Sequence, residues 1–215
     1  MSTFYDEEIK CTVCGETHVY TVISSTNTFG SPDLDLRPPE LKRSTMYHWV
    51  QECPSCGYVS YSVDTKTSVD AAFLKSSEYR LCDGIGFESD LASRFYKYYK
   101  ICLHDNKPRD AFFAVLHAAW ACDDARDEEN AAQCRRLSLP LLSEEITTDD
   151  AERETLNLMK ADIMRRAGLF DELKHQFASV RFSQDLLNQI LEFELSRAEQ
   201  HDVGCYTVSD VVGKN

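Results

Sequence analysis

Two matching cysteine pairs constrain this chain more than any other feature of its sequence. In each pair two residues separate the thiols and a glycine follows, and the four thiols are Cys11, Cys14, Cys53 and Cys56. Two intervening residues let a tight turn aim both sulfurs at one ion, and the glycine permits the left-handed backbone of such turns. Four sulfurs complete a tetrahedral shell without water, so the pattern predicts one structural zinc ion per chain.

The same spacing also occurs in redox sites of the thioredoxin type. That motif normally occurs once, at the start of a helix, whereas here it occurs twice among strand-forming residues. We therefore favour structural zinc over redox chemistry. The other five cysteines are scattered, as expected of core thiols in a reducing compartment; they are Cys82, Cys102, Cys122, Cys134 and Cys205.

Composition divides the chain into regions and predicts an α+β fold. Residues 1–65 are rich in Cys, Thr, Ser, Val and Tyr, which predicts a small zinc-ribbon-like β module. Its strands are expected at 17–23, 46–51 and 58–63, with a long insertion at 24–45. Residues 66–201 show helical periodicity and predict an all-helical domain of six or seven helices. Residues 202–215 are expected to form a loose C-terminal tail with a short extended piece at 205–208.

Capping and breaking residues predict where the helices begin and end. A capping-box-like motif ending at Asp70 predicts a helix to about residue 82, and Ser89 is expected to start a helix to about residue 104. Pro108 suits the first turn of the next helix, whose nearly all-apolar stretch at 111–124 predicts the central helix. Pro140 is expected to end or kink the helix that begins near Glu128.

The last third of the chain has the clearest helical pattern. Ala161, Gly168, Phe170 and Phe177 fit a hairpin of the tetratricopeptide type, in which glycine makes the turn and aromatic side chains fill the groove. No second copy follows about 34 residues away, as such a repeat would require. An ordinary antiparallel helix pair is therefore an equal alternative.

Several motifs, taken together with the cysteines, resemble an uncharacterised bacterial family. The motifs are Asp35-Leu36-Arg37-Pro38-Pro39, Met46-Tyr47-His48-Trp49-Val50, Cys53-Pro54-Ser55-Cys56-Gly57-Tyr58 and Ala161-Asp162-Ile163-Met164-Arg165-Arg166-Ala167-Gly168-Leu169-Phe170. Members of that family have a four-cysteine zinc-ribbon-like start and a tetratricopeptide-like helical tail. The resemblance is good over residues 11–61. It implies zinc at the four cysteines and a helical scaffold, and it implies no activity.

The insertion at 24–45 is the most suggestive feature outside the cysteines, because long loops in compact domains are commonly functional. A charged contact site could be formed by Asp33, Asp35, Arg37 and Arg43. The alternative, which we favour, is that Arg37 pairs with Asp35 and braces the loop.

Other charged and aromatic groups are expected to be structural. The acidic run that begins at Asp123 and Asp124 is expected to be a solvated helix end, not a Mg²⁺ site. Arg165 and Arg166 are expected to face nearby acids, and His117 and Trp120 to be buried in the central helix.

The net charge of the chain bears on whether it binds nucleic acid. At -13 the chain lacks the positive surface with which proteins neutralise phosphates, so nucleic-acid binding is disfavoured. No apolar run reaches the ~18 residues of a membrane span, and the first ten residues do not resemble a secretion signal. We therefore expect a soluble, cytoplasmic protein with no membrane partner.

These features lead to a first functional hypothesis, a zinc-binding adaptor or regulatory protein that contacts a protein or peptide. The second hypothesis is an enzyme whose site lies between the ribbon-like module and the helices, lined by Asp35, Arg37 and Trp49. The oligomeric state is not predicted.

Overall fold

The structure is a computed structural model that describes residues 1–142 and 147–213. It is α+β, as predicted, with two antiparallel strand pairs ahead of a helical body. Strand β1 (Thr3–Lys10) pairs with β2 (Thr17–Ser25), and β3 (Gln51–Glu52) pairs with β4 (Val59–Ser60). One cysteine pair lies in each connecting turn, so the two hairpins present their turns to a shared site.

The strands differ from the prediction in three places. The strand expected at 17–23 is present, but the one expected at 58–63 shrinks to two residues. The strand expected at 46–51 is wrong, since Arg43–His48 forms a 3-10 helix in which Thr45 and Met46 are buried. Strand β1 was not predicted, because its acidic, almost wholly exposed residues show no alternation of apolar and polar positions.

The described residues contain nine α-helices, six of which have eight residues or more. The helices are α1 (Ala71–Lys75), α2 (Ser77–Arg80), α3 (Asp90–His104), α4 (Pro108–Ala125), α5 (Glu128–Ser138), α6 (Asp150–Arg166), α7 (Phe170–Phe177), α8 (Asp185–Glu199) and α9 (Val208–Val212). None of them, over 1–142 and 147–213, has both the length and the hydropathy that a membrane span requires.

Helix starts follow the capping signals closely. The Ser89 side chain accepts from the backbone N–H of Ala92 at the start of α3, and Pro108 occupies the first turn of α4. The single helix expected from Asp70 to about residue 82 is wrong. Ser76 is extended, and its hydroxyl caps a second short helix, so the segment splits into α1 and α2.

Helix α4 lies at the centre of the main hydrophobic core. Most of its residues are buried, including Phe112, Leu116 and Trp120. The same core cluster contains Val59 of the ribbon-like module and Phe95 of α3. Module and helices therefore share one core cluster and stabilise each other.

A second core cluster surrounds α6, α7 and α8. Gly168 makes the turn between α6 and α7 with a φ of 74°, as its position in the sequence indicated. Ala161 and Phe177 are buried in this cluster. Whether the helix pair belongs to the tetratricopeptide type stays a prediction.

The C-terminal segment is docked and not loose over residues 205–212. Asp33 and Thr207 form a β-bridge, the Leu34 N–H donates to the Tyr206 carbonyl at 2.9 Å, and the Val208 N–H donates to the Pro32 carbonyl at 3.0 Å. Residues 206–208, which lead into helix α9, thus hold the insertion.

A charged triad is buried beneath this segment. Arg165 and Glu194 are 0% exposed and Asp162 is 1% exposed. Arg165 donates to Glu194 at 2.5 Å and to Asp162 at 2.8 Å. Burial, together with the charge of Asp162, raises the pKa of Glu194 to about 8. One guanidinium therefore serves two carboxyl groups, and burial raises the pKa of Asp162 as well as that of Glu194.

This triad predicts a pH-dependent stability. An unfolded glutamate has a pKa of about 4.3, so between that pH and about 8 the unfolded chain loses a proton that the folded chain keeps. The free energy of unfolding should therefore fall as pH rises through this window.

The variant Glu194→Gln tests this expectation, because glutamine has nearly the same shape as glutamate and does not titrate. The difference in melting temperature between Glu194→Gln and wild type should shift in favour of the variant as the pH rises. Exposed Glu192→Gln on the same helix is the control, and an identical pH profile for Glu194→Gln and wild type would contradict the assignment.

Candidate metal centre and adjoining aromatic cavity

The four cysteines predicted as ligands meet at one site. Their sulfur atoms all lie within 4.8 Å of one another. The Cys11 and Cys56 sulfurs are 3.7 Å apart, and the Cys14 and Cys53 sulfurs 3.6 Å. A tetrahedron with Zn–S bonds of about 2.3 Å has sulfurs about 3.8 Å apart, whereas a disulfide brings them to about 2.05 Å. The cluster is thus compatible with a metal such as zinc.

Two turns of the same kind aim the sulfurs. In the first, the Gly15 N–H donates to the Cys11 carbonyl at 2.9 Å, and in the second the Gly57 N–H donates to the Cys53 carbonyl at 2.8 Å. Both glycines have a left-handed backbone, with φ of 80° and 76°. A side chain would strain this conformation, which explains the glycine after each pair.

The surroundings of the sulfurs act in opposite directions on the ionisation of the thiols. Cys11 and Cys53 are almost fully buried, and burial raises the pKa of Cys53 and of Cys56. A backbone N–H of Glu16 lowers the pKa of Cys14. Four thiolates packed this closely repel one another, and a divalent ion removes most of that repulsion.

Neither histidine of the module enters the sulfur shell. His18 hydrogen-bonds to the Ser55 hydroxyl at 2.8 Å, and His48 contacts the Thr21 carbonyl and the Phe4 ring. The donor set is therefore four sulfurs, a set that zinc accepts in closed structural sites.

The two turns that carry the cysteines form hydrogen bonds with other parts of the chain. The Tyr79 hydroxyl donates to the Gly57 carbonyl at 2.7 Å, and the Thr12 N–H donates to the Val63 carbonyl at 2.9 Å. The geometry of the sulfur cluster is thus coupled to α2 and to the segment after β4.

The insertion reaches the helices through two charged side chains. Asp35 is 0% exposed and accepts from Trp120 Nε1 at 2.7 Å and from Arg166 at 2.9 Å. Arg37 is also buried and donates to Asp124 at 2.5 Å. The expected ion pair between Arg37 and Asp35 is absent from the described contacts, where only the Arg37 backbone N–H donates to Asp35. A left-handed residue, Leu36, separates the two side chains, and each finds its own partner on the helices.

Asp123 completes a buried ionic network. It pairs with Arg135 at 2.5 Å and with Arg166 at 2.7 Å. Burial opposes the ionisation of Asp123, but the arginines outweigh it and lower its pKa. Asp123 thus departs from the solvated acidic run that was expected, whereas Asp124, Glu128 and Glu129 are exposed as expected. The expectation that Arg165 and Arg166 face acids is confirmed.

A cavity of about 510 Å³ opens between the insertion, the module and α4. Its lining residues are Asp35, Leu36, Pro38 and Lys42 from the insertion, Trp49 and Tyr61 from the module, and Phe113, His117 and Trp120 from α4. The structure therefore brings Asp35 and Trp49 to one cavity, whereas Arg37 is not among its lining residues. Phe113, His117 and Trp120 were missed, although their spacing of four and three residues places them on one face of a helix.

His117 sits at the centre of an aromatic cluster. Its ring centroid is 4.7 Å from that of Trp120, 5.3 Å from Trp49 and 6.2 Å from Tyr61. Burial lowers the pKa of His117 to about 3, so the imidazole is neutral at physiological pH. Nδ1 of this ring lies 3.3 Å from the Tyr61 hydroxyl.

Known proteins give no further assignment for these features. Comparisons of the chain with protein-family models, with curated proteins and with solved structures return no match. What the structure shares with the uncharacterised bacterial family is coarse: a four-cysteine cluster at one site and a helical body.

Proposed function

We propose that this chain is a structural zinc protein that works as an adaptor, binding a segment of a protein or peptide in its aromatic cavity. The observation that carries the proposal is the cavity itself, whose apolar walls come from three separate elements. Apolar cavities of this size with few polar groups are typical of binding sites. The zinc-binding cysteines would hold the module, and with it Trp49 and Tyr61, in place against α4.

The four sulfur ligands support zinc as the metal. Four thiolates form a soft, closed shell with no position for a substrate or water, which supports zinc in a structural role and one ion per chain. None of the nine cysteines forms a disulfide, which supports a cytoplasmic location, where thiols stay reduced. The proposal also assigns the chain to the uncharacterised bacterial family that its motifs resemble.

Binding is favoured over catalysis because the two charged residues expected in an active site already pair with other residues of the chain. Asp35 is enclosed and already accepts from Trp120 and Arg166. Arg37 is engaged with Asp124. An enzyme with its site between module and helices is the second candidate, supported by the cavity's position. The imidazole that lines the cavity, His117, is a weak base, because burial lowers its pKa to about 3. Nucleic-acid binding is opposed by the net charge of -13.

Selection from a random peptide display library tests the adaptor proposal. Peptides enriched on the wild type should bind Tyr61→Ala at least about tenfold more weakly, as expected when a central aromatic contact of an interface is removed. They should bind Tyr5→Ala normally, because Tyr5 is an exposed aromatic residue on β1 away from the cavity. Failure to enrich any peptide, or equal binding to both variants, would contradict the proposal.

A further inference from the structure

The charged group of the cavity wall that a ligand can reach is the ammonium of Lys42. Lys42 lines the cavity, is exposed, and forms no ion pair among residues 1–142 and 147–213. The other charged lining residue, Asp35, is 0% exposed, and the guanidinium of Arg166 compensates its charge. A bound segment therefore meets an available ammonium group, and a carboxylate beside it would be favourable.

The interior of the cavity, in contrast, disfavours charge. The burial that keeps the His117 imidazole neutral would equally penalise a charged group of a ligand inserted beside it. Aromatic rings form most of the wall, and such walls bind a planar ring through stacked and edge contacts. The group that enters should thus be an uncharged ring.

One polar atom of the wall is available to that ring. His117 Nδ1 is paired with Tyr61, but Nε2 makes no hydrogen bond among the described residues, and it is not among the fully enclosed unpaired atoms. Nε2 of a neutral imidazole is a donor or an acceptor, depending on the tautomer. A phenolic hydroxyl can match either state, since it both donates and accepts.

We propose, building on the adaptor function, that the cavity takes a tyrosine side chain from a short acidic segment of a partner protein. The tyrosine ring lies among Trp49, Phe113 and Trp120, its hydroxyl bonds to His117, and a neighbouring glutamate or aspartate pairs with Lys42. A peptide is favoured because it can place a carboxylate beside Lys42 on a residue that neighbours the inserted ring, so that the ring itself carries no charge.

Binding of a ligand in the cavity can be followed by tryptophan fluorescence. Trp49 and Trp120 are the chain's two tryptophans, and both line it. Tryptophan fluorescence, excited where tyrosine does not absorb, can therefore follow titration with three end-blocked peptides, Gly-Glu-Tyr-Glu-Gly, Gly-Glu-Phe-Glu-Gly and Gly-Lys-Tyr-Lys-Gly. The first should bind about fivefold to tenfold more tightly than the third, and about threefold to tenfold more tightly than the second.

Charge reversal supplies the matched control. Lys42→Glu should remove or invert the preference for the acidic peptide, whereas Lys75→Glu, the same change at an exposed position on α1, should leave it intact. Equal binding of acidic and basic peptides, or of tyrosine and phenylalanine peptides, would overturn the corresponding half of the proposal.

The outcomes separate this inference from the adaptor function. If none of the three peptides changes the fluorescence while display-selected peptides still bind through Tyr61, the tyrosine assignment is wrong and the adaptor function stands. If the display selection also fails, the adaptor function itself is wrong.

Discussion

Replacing Cys53 with serine is expected to abolish metal binding and to lower the melting temperature of the whole chain. Cys53 is 0% exposed and belongs to the same core cluster as Phe95 and Phe112. A structural zinc site commonly provides much of the folding free energy of a small module. A loss of about 4 kcal/mol or more would lower the melting temperature by roughly 8–16 °C in a chain of this size.

Elemental analysis and thermal unfolding followed by circular dichroism check this expectation together. Wild type should carry one zinc per chain, and Cys205→Ser should keep both the zinc and the stability. Cys205 is exposed and lies outside the sulfur cluster, and serine can still donate to Asp33 as the thiol does. Zinc retained by Cys53→Ser, or wild type purified without metal and with four accessible thiols, would refute the site.

Replacing Asp35 with alanine is the second change expected to have a large effect. This change removes the carboxylate that accepts hydrogen bonds from Trp120 Nε1 and from Arg166. The guanidinium of Arg166, which is almost fully buried, then lacks one of its two carboxylate partners. Breaking a buried ion pair by removing one partner typically costs about 3–5 kcal/mol. Urea unfolding should show a loss of that order.

A surface pair of nearly the same length provides the control. Lys174 and Asp171 are 2.8 Å apart, close to the 2.9 Å between Arg166 and Asp35, but the Asp171 side chain is 91% exposed. Asp171→Ala should cost less than about 1 kcal/mol, because water already solvates both charges. Similar losses for both variants would mean that burial does not set the strength of the Asp35 contacts. The bracing role of Arg37 stays a prediction that Arg37→Ala tests in the same way.

The cluster of four cysteines could be predicted from the sequence because each half of it is local. The two-residue spacing and the glycine fix the turn, and only the meeting of two such turns is a tertiary event. The charged residues of the insertion were a different case. The charges of Asp35 and Arg37 identified these two residues as candidates for a contact. The partner of Asp35, Arg166, lies 131 residues further along the chain, and the partner of Arg37, Asp124, lies 87 residues further. The spacing of charged residues in the sequence does not indicate which of them pair over such separations.

The errors in secondary structure have a similar cause. Residues 46–51 have the aromatic and β-branched composition of a strand, yet Trp49 Nε1 bonds to Thr45 Oγ1 at 2.9 Å and Met46 enters the core, which suits a tight helical turn. Tertiary packing overrode local propensity there. The aromatic cavity was missed because nearly every face of α4 is apolar, so no stripe marked the face that meets the module.

The docking of residues 205–208 on the insertion has a consequence for the order in which the chain matures during synthesis. Leu36 and Pro38 line the cavity, and the insertion that carries them is held by Arg166 and by the bridge between Asp33 and Thr207. On a ribosome, these anchors emerge long after the cysteines. The turns that carry the four cysteines are therefore complete early in synthesis, whereas the insertion is anchored only after residues 166 and 207 have emerged. The aromatic cavity, part of whose lining comes from the insertion, is thus among the last features of the fold to form.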